Sequence, residues 1–250
     1  MARKAIVMGA TSGIGLEVAQ ILTSKGWEVG IAGRRQHLLQ KIQSKNLNIT
    51  ATQCIDITRH DAAEALHTLI GKMGGIDLYV HCAGVGYQNP ALDAEKEMLT
   101  VETNVVGFTR MITAVFHYFS SRPDAEGHIA VISSIAGTKG LGAAPSYSST
   151  KRYETHYMEC LSQLCTIRSI SNIHLHDIRP GFVKTDILDD GNDYPCQLDV
   201  HAVAADIVRG IERDKRVITI DWRFRIITFL WSLIPRWLWV RMKIASRKYK

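Results

Sequence analysis

A chain of 250 residues with 46% apolar and 22% charged residues can bury a full core, which excludes a disordered or fibrous protein and suits one large α/β domain. Five cysteines, Cys54, Cys82, Cys160, Cys165 and Cys196, are odd in number and lack a Cys-x-x-Cys pair, so neither a disulfide frame nor a zinc site is expected, and the thiols suit a reducing, cytoplasmic setting. The net charge of +6 is uneven: the segment 222–250 holds eight Lys or Arg and no acid, which leaves the rest of the chain at −2.

Arg3 and Lys4 are followed so soon by Gly9 that no signal-peptide apolar stretch is expected. Residues 5–8 form a short apolar run that enters Gly9, Ala10, Thr11, Ser12, Gly13, Ile14 and Gly15, and residues 16–25 continue with helical spacing. The pattern predicts a strand, a glycine turn and a helix. Such glycines let the backbone approach a pyrophosphate, and the amides at the helix start face its charge. The spacing is G-x-x-x-G-x-G rather than the G-x-G-x-x-G of the dinucleotide fingerprint, and a plain strand-to-helix turn would read the same way.

Residues 28–32 read as a second strand ending in Gly33, Arg34 and Arg35. A dinucleotide with a free ribose 2′-hydroxyl usually meets a carboxylate here. Two guanidiniums instead suit a 2′-phosphate, which favours NADP(H) over NAD(H); the alternative is a solvated pair opening the next helix. Residues 49–55 form a third strand closed by Asp56 and Ile57, then come a helix over 61–73 and a fourth strand over 76–81 that runs into Cys82, Ala83 and Gly84. Alternation without a hairpin signal implies parallel strands, whose site lies beyond their carboxyl ends, where Gly9, Arg34, Asp56 and Gly84 fall.

A long helical stretch over 92–120 contains Asn104, a polar residue that needs partners for its amide. A fifth strand over 128–133 leads to Ser134, and a loop holding Gly137, Gly140, Gly142 and Pro145 leads to a helix over 147–168. Tyr147 and Lys151, four apart, share one face of that helix. A phenol ordinarily titrates near about 10; a neighbouring ammonium depresses it and makes it a usable acid or base. The isolated pair also fits an exposed helix face. A sixth strand over 173–179 ends in Pro180, Gly181, Phe182, Val183, Lys184 and Thr185, followed by an expected mobile loop over 186–199, a helix over 201–213 and a last strand over 216–221. The expectation is one Rossmann domain over 1–221, a doubly wound parallel sheet of about seven strands, plus a tail over 222–250.

The tail contains Trp222, Trp231, Trp237 and Trp239, and its longest uncharged run, 226–235, is far short of the ~20 residues a spanning helix needs. Tryptophans among arginines suit an amphipathic helix at a membrane interface. The alternative is that Phe224, Ile227, Leu230, Trp231 and Ile234 pack as a subunit interface or a lid over the site. Nucleic acid is not an expected partner, because the cations alternate with large aliphatics.

These motifs, in this order, resemble the short-chain dehydrogenase/reductase family over residues 3 to about 221. The family's glycine turn matches Gly9 through Gly15, with Met8 where Thr is usual. Its Asp-Val adenine contact matches Asp56 and Ile57, and its Asn-Asn-Ala-Gly segment matches His81 to Gly84 with both asparagines replaced. Its structural Asn matches Asn104, its Ser-Tyr-Lys set matches Ser134, Tyr147 and Lys151, and its Pro-Gly-x-Val-x-Thr element matches Pro180, Gly181, Val183 and Thr185. The resemblance implies that Ser134 binds the substrate carbonyl and Tyr147 transfers a proton to its oxygen while the nicotinamide transfers hydride. Lys151 would acidify the phenol and hold the nicotinamide ribose, and Asn104 would order a water leading to Lys151. Thr185 and the Val183 amide would meet the carboxamide. The resemblance further implies a homodimer or homotetramer built through 92–120 and 147–168. The tail is similar to those of members acting on lipid or lipid-linked ketones at the inner face of a membrane. A cofactor-assisted epimerase or dehydratase, or a non-catalytic dinucleotide sensor or scaffold, would carry many of the same motifs.

Overall fold

The computed structural model of the protein describes residues 2–185, 194 and 196–244. Most of the expected mobile loop, 186–193 and 195, therefore lies outside the described residues, as does the tail beyond 244.

Seven strands form one sheet: β1 Lys4–Met8, β2 Glu28–Gly33, β3 Ile49–Cys54, β4 Leu78–His81, β5 Gly127–Ile132, β6 Ile173–Arg179 and β7 Val217–Thr219. Their order is β3-β2-β1-β4-β5-β6-β7, and every neighbouring pair is parallel. The strands β1 and β4 are apolar along nearly their whole length because helices cover both faces of the sheet. The chain winds outward from β1 to β3, returns to β4 and winds outward the other way. That reversal leaves a crevice between β1 and β4 at their carboxyl ends.

One face is covered by α1 (Gly13–Ser24) and α7 (Val200–Glu212), which bury Val18, Leu22, Val203 and Ile207. The other is covered by α3 (Ala62–Lys72), α5 (Phe108–Ser120) and α6 (Pro145–Ile167), through Leu66, Leu69, Phe108, Val115 and Leu161. Each such side chain contributes roughly 1.5–3 kcal/mol when fully buried. A short α2 (Gln36–Gln43) follows β2.

The elements differ from the sequence expectation at three places. The helix expected over 92–120 is α4 (Ala94–Val101), a π-helical turn (Glu102–Gly107) and α5. Asp93 starts it by accepting from Glu95 N and Lys96 N, and the wider turn carries Asn104. Pro145 opens α6 rather than ending a loop, since the first helical position needs no N–H and proline presets φ. The last strand is shorter than 216–221. At φ +69°, Asp221 turns the chain out of the sheet and caps the next helix through Arg223 N at 2.8 Å.

That helix is α8 (Trp222–Leu233), followed by the single turn α9 (Arg236–Trp239). Phe224, 2% exposed, packs on Gly181, where any side chain would strike its ring. The Trp239 indole donates to Gly140 O at 2.7 Å and meets Trp231 edge-on, while Lys139 Nζ donates to Ile234 O at 2.8 Å. The tail is thus clasped by the loop that precedes α6. Of the residues proposed to pack, Phe224 is buried and Trp231 and Ile234 are partly buried, but Leu230 faces outward. Among the described residues no helix is long and apolar enough to cross a membrane.

Candidate active site

The glycine turn lies where β1 meets the crevice. Gly9 has φ +86°, and a Cβ there would sit 2.7 Å from Ala83 N, so only glycine lets the turn rest on the backbone leaving β4. Gly15 likewise brings the start of α1 against Gly9 O, and Gly13 and Ile14 complete the mouth of the cavity. Ser12 caps α1 with an extended backbone but spends its hydroxyl elsewhere. The Arg35 guanidinium donates to Ser12 Oγ at 2.8 Å and to Thr11 Oγ1 at 2.6 and 3.0 Å. Arg34 is exposed on the rim beside it, and Asp56 and Ile57 line the cavity below. Asp56 Oδ1 accepts from Thr58 N and Oγ1, which fixes the turn after β3.

The expected proton-transfer residues line the same cavity. Ser134 follows β5 and caps a 3-10 turn (Ile135–Gly137), its Oγ accepting from Ala136 N at 3.1 Å. Tyr147 and Lys151 project from α6 to the same cavity. Gly86 backs against the Tyr147 ring, where a Cβ would lie 2.6 Å from Cδ2. The Lys151 Nζ is 5.9 Å from the centroid of that ring. A Cβ on Gly84 would stand 3.5 Å from Lys151 Nζ and 3.3 Å from Asn104 Oδ1, so the small residue leaves open the space between them.

Asn104, fully buried, accepts from Val85 N at 2.9 Å and donates to Val85 O at 2.7 Å and Thr150 Oγ1 at 3.1 Å. Both amide protons are therefore spent on bracing the loop after β4 against α6. The segment Pro180 to Thr185 closes the opposite wall. Pro180 O accepts from Ile135 N at 3.1 Å, Thr185 Oγ1 donates to Val183 O at 3.3 Å, and Gly181 supports Phe224. A Cβ on Gly13 would lie 3.3 Å from the Thr185 methyl, so this segment folds back over the glycine turn.

Two residues replaced in the Asn-Asn-Ala-Gly pattern are structural here. His81 is buried against Phe108 and shares a hydrogen bond with Tyr79 OH at 3.0 Å; burial drives it down to about 3, so it stays neutral. Cys82 packs beside Gly15, where a Cβ would lie 3.1 Å from its own.

Sequence reasoning missed Glu154. Only 1% exposed, it receives Lys151 Nζ on both oxygens, at 3.0 and 2.9 Å. The third ammonium proton goes to Ile132 O at 3.0 Å. Burial works to lower the Lys151 pKa, yet Glu154, together with Tyr147 and Cys82, outweighs it and raises the group above the ordinary lysine range. Burial pushes Glu154 up to about 7 against the pull of Lys151. The visible signal was a Lys-x-x-Glu spacing, which reads as a surface ion pair until the buried face of α6 is known.

The glycine turn, Asp56, Gly84, Ser134, Tyr147, Lys151, Pro180, Val183 and Thr185 border one cavity of about 970 Å³, whereas Asn104, His81 and Glu154 stand behind it. Its far end is lined by Phe182, Phe224, Ile227 and Trp231, so the tail forms an apolar wall of the same space. Gln88 Nε2 donates to Tyr194 OH at 2.6 Å. Gln88 Oε1 and Trp231 Nε1 are buried there without a hydrogen-bond partner among the described residues.

The sequence profile of the short chain dehydrogenases matches residues 3–194, which carry every one of these crevice residues except those of the tail. The chain belongs to the short-chain dehydrogenase family. This short-chain dehydrogenase is 31% identical, over 93% of each chain, to an uncharacterized oxidoreductase of Myxococcus xanthus. It is 26% identical to dehydrogenase/reductase SDR family member 7B of Danio rerio, over 81% of this chain and 70% of that one. Among solved structures it superposes with a TM-score of 0.81 on a short chain dehydrogenase from Burkholderia cenocepacia in complex with NADP, at 19% identity and 98% coverage of each chain. A Burkholderia phymatum family member in complex with NAD gives a TM-score of 0.79 at 16% identity and 92% coverage of each. The Rossmann fold, the family and the oxidoreductase class expected from the sequence all hold.

Proposed function

We propose that this short-chain dehydrogenase reduces a carbonyl, or oxidises the matching alcohol, on a hydrophobic or lipid-linked substrate, with NADP(H) preferred over NAD(H). The observation that carries the reading is the continuity of one cavity from Tyr147 to the apolar inner side of the tail. A nicotinamide dinucleotide fits the other end: Gly9 and Gly15 leave a backbone cradle that any Cβ would fill, beneath the amides that start α1. When bound, the nicotinamide supplies or accepts the hydride. Both NADP and NAD occur with solved relatives, so the NADP preference rests on Arg34 and Arg35 alone. The Arg35 guanidinium already sits on the turn hydroxyls, next to the exposed Arg34.

In this reading Tyr147 gives its phenolic proton to the carbonyl oxygen. Ser134, whose oxygen is occupied by Ala136 N, donates its own proton to the same atom. Lys151 supplies positive charge beneath the phenol, and Asn104 braces the loop that holds Gly84 and Gly86 in place. The Val183 amide and Thr185 orient the carboxamide.

The outer side of the tail supports residence on an anionic membrane surface in the cytoplasm. Trp222, Phe229, Leu233 and Trp237 are each 63–67% exposed there, among the exposed cations Arg225, Arg236, Arg241 and Lys243. Exposed Met98 and Val106, on α4 and the π-helical turn, favour a homodimer or homotetramer formed through 92–120 and 147–168. The test is turnover of long-chain 3-keto amines, 3-ketoacyl thioesters and lipid-linked keto-sugars in anionic and neutral vesicles, following the reduced nicotinamide. Turnover of at least one lipid ketone, faster on anionic vesicles, is expected. Turnover confined to small polar ketones would overturn the substrate class.

A further inference from the structure

Glu154 has no part in the mechanism above, yet it holds Lys151, which does. An ammonium has three protons to give, and here all three have partners: one goes to Ile132 O and two to the Glu154 carboxylate. Lys151 is 6% exposed and Glu154 1%, so water screens the pair only weakly. A lone ammonium beneath a phenol would stabilise the phenolate by its full charge. An ammonium chelated by a carboxylate presents something closer to a dipole. Whether Tyr147 faces a cation or a neutral pair therefore depends on residue 154.

We propose that Glu154 is a positioning residue of this active site: its carboxylate tethers the Lys151 ammonium against the sheet and offsets its charge, and so sets the acidity of Tyr147. This rests on Tyr147 being the proton-transfer group, and it adds a residue three positions beyond Lys151 to the set that governs that transfer.

The surroundings agree with a tuned rather than a packing role. From α6 itself, Tyr147 faces the pair. From β6, Asp177 acts on Glu154 as a second negative charge, itself held by Arg179 at 2.6 Å and by the Ser133 hydroxyl. From the end of β4, His81 and Cys82 feel the Lys151 charge, and both stay neutral there because burial opposes their charged forms. Glu154 is thus the one carboxylate in direct contact with the ammonium among the described residues, and burial pushes it up to about 7. With the carboxylate protonated, Lys151 acts as a fuller cation; with it ionised, the ammonium is offset. The coupling makes Tyr147 more readily ionised when Glu154 is neutral.

The test needs no substrate. The pH at which the Tyr147 phenolate forms is read by ultraviolet absorbance as the difference between each protein and its Tyr147→Phe counterpart, which removes the other seven of the eight tyrosines from the signal. Glu154→Gln keeps the shape and removes the charge, so its transition is expected to fall by about one pH unit or more relative to the unmutated protein. Glu154→Asp keeps the charge but draws it back from Lys151, so a smaller fall is expected. Thermal melts identify which variants are folded, and a fall in either folded variant supports the assignment. A transition that stays in place or rises in the folded variants overturns it, and shows Glu154 to be a structural counterion. Failure of Tyr147→Phe to affect turnover would overturn the catalytic reading instead, so the two outcomes are separable.

Discussion

The two ends of the crevice are built from different kinds of structure. At the cofactor end, the glycine turn, Arg34, Asp56 and Gly84 all lie just past the strands β1 to β4, and backbone contacts hold them: Gly9 on Ala83, Gly15 on Gly9. At the substrate end, the wall is assembled from residues far apart in the chain, with Lys139 and Gly140 clasping Ile234 and Trp239. The first end tolerates almost no side-chain change because its neighbours are backbone. The second is held by side chains that reach across to backbone carbonyls, and its lining side chains are free to vary in shape. A family can therefore keep one chemistry while exchanging substrates.

The residue where the two ends meet gives the largest test. Tyr147→Phe is expected to lower turnover by about 10²–10⁴-fold while NADPH binding, read by its fluorescence, stays within a few-fold. Loss of binding together with turnover would make Tyr147 part of the cofactor cradle instead. At the cofactor end, Arg34→Glu should weaken NADPH by about ten-fold or more and NADH little, because only the former carries the 2′-phosphate. Equal losses in isothermal titrations would remove the arginine from cofactor choice. At the substrate end, Trp231→Ala removes an aromatic wall and an indole donor. It should lower kcat/KM for a long-chain ketone by about ten-fold and leave a short ketone nearly unchanged. A uniform loss across chain lengths would mean that the tail supports the fold rather than the substrate.

The difference between the ends also explains what was readable. Gly9, Asp56, Gly84, Ser134, Tyr147 and Lys151 all reach the crevice as expected, because each lies within three residues of a strand end or one helical turn from another. Asn104 was recognised as needing partners, but that Val85 and Thr150 would be those partners depends on how the π-helical turn crosses α6. Glu154 escaped notice because its spacing from Lys151 is common on exposed helices; only its 1% exposure gives it another meaning. For the tail, interfacial and packed readings were both open, and it is the inner face that meets the domain while Trp222 and Trp237 remain outside.

By itself, the sequence determined the winding of the sheet, the position of the crevice and the chemistry gathered there. Apolar periodicity and glycine placement act within about ten residues, and a parallel sheet turns that local order directly into spatial order. The tertiary structure alone decided the charge state beneath Tyr147 and the wall opposite it. Burial sets what a carboxylate beside an ammonium does, and burial depends on which faces of α6 and α8 the rest of the chain covers.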